Sequence, residues 1–214
     1  METTLEEYYA KRAAEYEKIF EKPERQADLA RMRVDIPALF CGERVLEIAC
    51  GTGYWTPLIA ARAESVLATD YNEETLAIAR AKKYAKANVR FEQADAYALP
   101  PWPQKFSACY AGFWWTHIPL ARLEQFLRGL HARLQPGARV VFMDNRYVEG
   151  SSTPVSRKDA DGNTYQTRKL SDGTRLEVLK NFPSLAELRA RLGGDVVVSE
   201  YQYYWLASYR IMAA

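Results

Sequence analysis

Residues 45–53 read VLEIACGTG. Apolar residues suited to a buried strand run into Glu47, Cys50 and two closely spaced glycines, Gly51 and Gly53, so the junction reads as a strand ending in a glycine turn. Such a turn can cradle a dinucleotide pyrophosphate, a nucleoside triphosphate or an uncharged sugar brought close to bare backbone. The residues around it decide which.

Outward from the turn, strand and helix signals alternate. Arg44 to Ala49 predicts a short strand, Trp55 to Arg62 a helix, and Ser65 to Asp70 a second strand. Glu73 to about Ala85 is rich in Ala, Glu and Lys and predicts a helix with Asn72 as its cap. NVRFEQAD, from Asn88, supplies a third strand; the proline-rich YALPPWPQ is a loop, and Phe106 to Gly112 a fourth strand. Pro119 opens a helix to about Leu134, stopped by QPG, and Ala138 to Asp144 is a fifth strand. This alternation predicts an α/β, doubly wound, mostly parallel sheet covered on both faces. Ligands of such sheets bind beyond the carboxyl ends of the strands, so residues 50–54, 70–72, 95–97, 112–117 and 144–147 are expected on one rim.

The flanks read differently. Tyr9, Ala13, Tyr16 and Phe20 recur at helical spacing in EEYYAKRAAEYEKIF, and a second helix is expected from Glu24 to about Leu39. In TYQTRKLSDGTRLEVLK, Asp172-Gly173 separates two strand-like runs, which predicts a β-hairpin lying as a cap over the substrate side of the rim. Ser184 caps a helix through Leu192, and DVVVSEYQYYWLASYRI supplies two closing strands, bringing the sheet to seven. The expectation is one domain: a helical lid over 1–40, a ligand-binding core over 41–149, a hairpin cap over 150–181, and a closing helix and strands over 182–214.

Composition narrows the classes. The chain has 214 residues, 48% of them apolar, enough for one large domain with a substantial core. Its formal net charge of +2 gives no general reason to expect a nucleic-acid or membrane surface. The charged start METTLEEYYAKR lacks the apolar core of a secretory signal, and no run approaches the ~18 apolar residues of a membrane span. Cys41, Cys50 and Cys109 show no paired ligand spacing, which favours a reducing cytoplasm, and with only His117 and His131 a histidine-rich metal site is not expected.

The junction at 45–53 closely resembles the first motif of class I S-adenosylmethionine-dependent methyltransferases: a hydrophobic strand, Glu or Asp, and Gly-x-Gly. The likeness extends to the acidic residues ending LATDYN and FEQADA, and the N-terminal YYAKRAAEYE looks like the leading helix of bacterial small-molecule members. The resemblance implies a Rossmann-like fold and S-adenosyl-L-methionine as cofactor, with S-adenosyl-L-homocysteine as product. It places Glu47 near the cofactor's α-amino group, Asp70 on the ribose hydroxyls, Tyr71 against the adenine, Asp95 on the exocyclic amine and the Ala96 amide on a ring nitrogen. Gly51 and Gly53 would remove side chains where the ribose and amino-acid tail pass the main chain. Ala49, Gly112 and Tyr16, the last as a lid residue, complete the implied set.

A nicotinamide enzyme fits less well. Thr56 stands where the dinucleotide pattern has its third Gly or Ala, and a carboxylate just before the turn suits an ammonium better than a pyrophosphate. No Gly-Lys-Ser/Thr phosphate loop is present.

The cofactor's methyl group is already activated on a cationic sulfur, so alignment of a nucleophile can dominate the rate and a general base is optional. His117, in GFWWTHIP at the expected rim, can remove a proton or orient a substrate near neutrality; it can equally be a helix-entry histidine bonded to backbone. Phe113 and Trp114, with Trp115, can wall a flat or cationic substrate or pack under the next helix. Tyr9 from the lid and Arg146, facing an acidic substrate group or paired with Asp144 or Glu149, complete the expected substrate residues. MDNR at 143–146 resembles part of a catechol-type magnesium site, but the chain has no aspartate near the end of the fourth strand, so no metal is expected.

The Asn/Asp-Pro-Pro-aromatic motif of exocyclic-base methylation is absent from AGFWWTHIP, and no basic domain is appended. The favoured acceptor is therefore a nitrogen or oxygen of a small metabolite, with no nucleic-acid or membrane partner, in a monomer or homodimer. A protein or RNA methyltransferase, and a non-catalytic cofactor-binding regulator, are the competing readings.

Overall fold

The residues flanking the glycine turn form strands β1 (Arg44–Ile48) and β2 (Ser65–Asp70), followed by β3 (Val89–Gln93), β4 (Phe106–Gly112) and β5 (Leu134–Asn145). Three short strands, β6 (Arg157–Lys158), β7 (Thr164–Lys169) and β8 (Arg175–Leu179), precede the last two, β9 (Val197–Glu200) and β10 (Tyr204–Arg210). The helices are α1 (Gln26–Ala38), α2 (Thr56–Ala60), α3 (Glu73–Arg80), α4 (Leu123–His131) and α5 (Leu185–Leu192). This architecture comes from a computed structural model that describes residues 13–169, 173–193 and 195–212.

A seven-stranded sheet has the order β3-β2-β1-β4-β5-β10-β9. Pairs among β1 to β5 are parallel, whereas β10 runs antiparallel to both β5 and β9. The chain therefore winds outward from β1 to β3, returns to β4, and winds the other way. The carboxyl ends of β1 and β4 flank the point where direction reverses, the usual crevice for a ligand in an open α/β sheet.

Burial on both faces explains the apolar runs of the central strands. Val45, Tyr110, Val141 and Met143 face a core that includes Leu29, Met32 and Ile36 of α1 and Ile59 of α2. Their neighbours Leu46, Cys109, Val140 and Phe142 face the opposite core with Phe126 and Leu130 of α4 and Leu188 of α5. Successive residues thus enter opposite layers, as strand geometry requires.

Several boundaries differ from the sequence reading. The helix expected to reach Ala85 ends at Arg80, because Tyr84 turns onto Phe91 and its hydroxyl donates to the Ala79 carbonyl at 2.8 Å. Tertiary contact overrides propensity there. The helix expected to reach Leu134 ends at His131, and QPG lies inside β5, where the pairing with β4 shifts register between Phe106 and Ala108. Asn72 occupies the N-cap of α3 but makes no side-chain cap bond. Ala13–Phe20 is a 3-10 helix, and the expected helix before Ala13 lies outside the described residues. The cap is a three-stranded sheet, β6-β7-β8, rather than a bare hairpin; Asp172 lies outside the described residues, and Gly173 has φ +89°. Ser184 does cap α5, in a reciprocal capping box with Glu187.

Gly53 has φ +73°, and a Cβ there would lie 2.9 Å from the Cβ of Ala79 in α3. Gly53→Ala is expected to lower unfolding free energy by about 2 kcal/mol through backbone strain and overpacking. Chemical denaturation measures this; an unchanged midpoint would remove Gly53 as a packing requirement.

Candidate functional site

At the end of β1 the chain leaves strand geometry abruptly: Ala49 has φ 52° and Gly51 φ 56°. A positive φ is strained for alanine, and at Ala49 the strain sits on the rim of a cavity. Asp70, ending β2, fixes the turn. Its Oδ2 accepts from the Gly51 amide at 2.8 Å, and its Oδ1 accepts from the Asn72 amide and Thr75 Oγ1, each at 2.9 Å. One carboxylate thus joins the glycine turn to the start of α3.

This cavity, about 240 Å³, is lined by Ala49 and Gly51 from the turn and by Asp70, Tyr71 and Thr75 from the second strand and its helix. Asp95, Ala96 and Tyr97 close it beyond β3, and Gly112, Phe113 and Trp114 beyond β4. Asp95 Oδ1 accepts from the Tyr97 amide at 2.8 Å. Tyr71 is exposed. Gly112 is needed because a Cβ would stand 2.5 Å from the Tyr110 hydroxyl.

Glu47 lies one layer beneath, buried at 1% exposure, and lines a small recess of about 20 Å³ that also touches Tyr16, Gly51 and Gly112. Its Oε2 has no hydrogen-bond partner among the described residues. Burial is the chief reason its carboxyl is pushed up to about 8, against the pull of Thr56 and Lys82. A raised carboxyl keeps in the folded state a proton that the unfolded chain has lost. Stability without ligand therefore falls as pH rises from 4.5 to about 8.

A second cavity, of about 340 Å³, adjoins the first and shares Tyr16, Phe113 and His117 with it. Ser151 to Thr153 line one side and Gln166 to Lys169 of the β-sheet cap another. His117 is buried; its Nδ1 lies 2.7 Å from the Leu179 carbonyl and its Nε2 3.4 Å from Lys180 Nζ. A proton on Nδ1 donates to the carbonyl and leaves Nε2 to accept from the ammonium. Burial, then Lys180 and Arg168, push His117 well below its ordinary 6.5.

Lys180 is itself buried, and its Nζ meets Asp144 Oδ1 at 2.9 Å. Asp144 also accepts from the Thr116 amide and hydroxyl at 3.0 and 2.8 Å. Burial brings Lys180 down to about 8 even though Asp144 favours its charged form.

Three placements correct the sequence reading. Gly53 lines none of these cavities, and its missing side chain makes room for Ala79. Arg146 also lies outside them, pairing with Glu200 and donating to the Tyr201 carbonyl at 2.6 Å, so it ties β5 to the β9–β10 turn. Trp114 lines the first cavity rather than the second, between Tyr97 and Phe126. Trp115 is core, and His131 bonds the Tyr209 hydroxyl at 2.7 Å. Tyr9 lies outside the described residues. Among those residues no group of three His, Cys, Asp or Glu side chains could hold a metal ion, and no helix is long and apolar enough to cross a membrane.

Residues 45–137 match the family described as methyltransferase domain. A demethylmenaquinone methyltransferase of Clavibacter sepedonicus is 34% identical over 116 residues, which cover 53% of this chain and 44% of that protein. A probable S-adenosylmethionine-dependent methyltransferase of Mycolicibacterium smegmatis is 30% identical over 177 residues, 75% of this chain and 64% of that one. The solved structure of a DhpI–SAH complex superposes with TM-score 0.79 at 29% identity, covering 97% of this chain and 95% of that one; a solved DhpI–SAM–HEP complex superposes with TM-score 0.76 at 29% identity, covering 96% and 98%. Over the matched residues and in its fold, the chain is similar to class I S-adenosylmethionine-dependent methyltransferases. It spans about half the length of the first curated relatives it matches.

The second cavity is lined by residues that the sequence did not single out. Lys180 stands two positions after buried Val178, so its inward phase was readable from strand alternation. Its partner Asp144 was visible as a member of MDNR and as a candidate partner of Arg146, not of Lys180. Arg25, also buried and on the second cavity, follows a Pro-Glu pair and carried no signal at all. Lys180→Met leaves the Asp144 charge uncompensated in the interior and is expected to cost about 3–5 kcal/mol of stability. Equilibrium denaturation tests this; a loss below 1 kcal/mol would show that the pair is not a structural anchor.

Proposed function

We propose that this methyltransferase moves the methyl group of S-adenosylmethionine to a nitrogen or oxygen of a small molecule. The supporting observation is that two cavities, one at the glycine turn and one under the cap, meet at Tyr16, Phe113 and His117. The second cavity falls within the roughly 300–1,000 Å³ usual for small-molecule sites. The cap residues around it lie beyond the family match at 45–137, so the acceptors named for relatives do not follow from that match.

The residues of the first cavity fit the cofactor. Glu47, the orphaned buried acceptor, suits an ammonium; Asp70 and Asp95 present carboxylates to ribose and adenine; Gly51 and Gly112 leave backbone open beside them. When bound, the cofactor supplies a methyl group on a cationic sulfur. Tyr16 and Phe113 hold the passage between the cavities and limit water there. His117 is assigned a positioning role at that passage: its neutral ring is held by the Leu179 carbonyl and Lys180, and burial makes it a poor proton acceptor.

Calorimetry is expected to show S-adenosylmethionine binding and no NAD binding; the reverse result would refute the assignment. At pH 7 the arriving ammonium should ionise Glu47, so binding should release about one proton, read as a dependence of heat on buffer ionisation enthalpy. Glu47→Gln should abolish that release, and a wild-type heat independent of buffer would remove Glu47 from the ammonium site. Asp95→Ala should weaken cofactor binding about tenfold, the loss of one hydrogen bond to a charged group; unaltered affinity would place the adenine elsewhere.

A further inference from the structure

The second cavity is unlike the first in charge. Lys22, Arg25, Arg168, Lys169 and Lys180 all line it, and among the described residues its lining includes no Asp or Glu. Nearby carboxylates are outnumbered: Asp144 lies beneath Lys180, and Glu24 lies 4.0 Å from Lys22 at the outer edge. Arg25 shows the imbalance best. It is 6% exposed and its guanidinium donates to neutral acceptors, Asn145 Oδ1 at 2.8 Å and Ser151 Oγ at 3.1 and 3.3 Å, and lies over the Tyr203 and Tyr204 rings at 5.1 and 5.4 Å; Glu24 reaches it only through Ser151, and no direct carboxylate partner is present among the described residues. Burying a cation on neutral partners is costly, and an arriving anion recovers that cost.

The titratable groups described at the passage to the cofactor are already engaged. His117 Nε2 accepts from Lys180, and Lys180 donates to Asp144. An alcohol or ammonium acceptor would have to pass its proton to one of these engaged groups, whereas an acid arrives already deprotonated.

We infer that the acceptor is a small oxyanion, a phosphoryl or carboxylate group seated among Arg25, Arg168, Lys169 and Lys180, and that its own oxygen takes the methyl group. This rests on the methyltransferase reading above and deepens it. The acceptor oxygen supplies the electron pair of the new O–C bond, and the pair of the broken C–S bond stays on sulfur. One negative and one positive charge are cancelled, no proton moves, and the product is a methyl ester. Lys180 and Arg25 orient the anion; they also lower its nucleophilicity, so alignment at the passage beside Tyr16 and Phe113 has to carry the rate.

The test uses the full chain loaded with S-adenosylhomocysteine, titrated by calorimetry with inorganic phosphate and with acetate at low ionic strength. Wild type should bind at least one of the two, and Arg168→Gln/Lys169→Gln, placed on the cap sheet away from the core, should weaken that binding at least roughly tenfold. No anion binding at 10 mM (about the weakest useful affinity), or binding unchanged in the double variant, would overturn the inference. The stronger of the two probes identifies the phosphoryl or carboxylate source. A parallel labelled-methyl assay over acids and their neutral amide and alcohol counterparts should label acids, and mild base should release labelled methanol from a carboxylate ester but not from a phosphoryl ester. Failure of S-adenosylmethionine to bind refutes the cofactor reading itself; normal binding with labelling of the neutral counterparts alone refutes only the oxyanion.

Discussion

The pair between Asp144 and Lys180 joins the two parts of the molecule that chemistry requires to meet. Asp144 lies near the carboxyl end of β5, in the sheet that carries the cofactor side, and Lys180 follows β8 in the cap. Both are buried, so neither can be solvated if the other moves away. A pair of this kind contributes less net stability than its Coulomb attraction implies, because desolvation offsets much of it; its strength is the penalty for separation. The cap is thereby held in one place. The Thr116 contacts to the same carboxylate, and the Asn181 amide donating to the Thr116 carbonyl at 2.7 Å, carry that constraint to the segment bearing His117.

Asp70 performs the corresponding task on the cofactor side, with different physics. It draws three donors onto one carboxylate, two of them backbone amides, so the glycine turn and the start of α3 share an anchor. Those bonds favour the ionised form, while burial works against it, and the net direction is upward. Oδ1 takes two of these donors and Oδ2 one, so Oδ2 keeps acceptor capacity. A residue with the geometry of a turn organiser can thus also meet ribose hydroxyls, because a carboxylate has more lone pairs than the turn consumes.

The fold and the first cavity were legible because their signals are local. Strand alternation, the position of Gly51 and the carboxylates ending two strands sit within a few residues of one another, and the sheet brings strand ends together whatever their separation in sequence. Gly53 and Arg146 show where local reading stops. A glycine in a turn is needed either for φ or for an approaching neighbour, and only the position of Ala79 distinguishes helix packing from ligand contact. For Arg146 the partner is Glu200, far along the chain, on a strand turn whose location depends on the antiparallel addition of β10. The cationic wall of the second cavity was illegible for the same reason: Arg25 comes from before β1, whereas Arg168, Lys169 and Lys180 come from the cap after β5.

That separation has a functional consequence. The matched core at 45–137 supplies the cofactor cavity, which demands the same adenosine and amino-acid contacts whatever is methylated. Apart from Phe113 and His117, the second cavity is walled by segments outside it, before β1 and from the end of β5 onward, where cationic and polar side chains alternate with the apolar faces of Tyr16, Ile19, Phe182 and Tyr204. A large hydrophobic acceptor would have to strip water from Arg25 and Lys180 without replacing their interactions, a cost that apolar burial at about 25 cal/mol per Å² recovers poorly. A family resemblance centred on the cofactor is therefore silent about the acceptor, and the charge of the capping walls is the stronger guide to what this cavity admits.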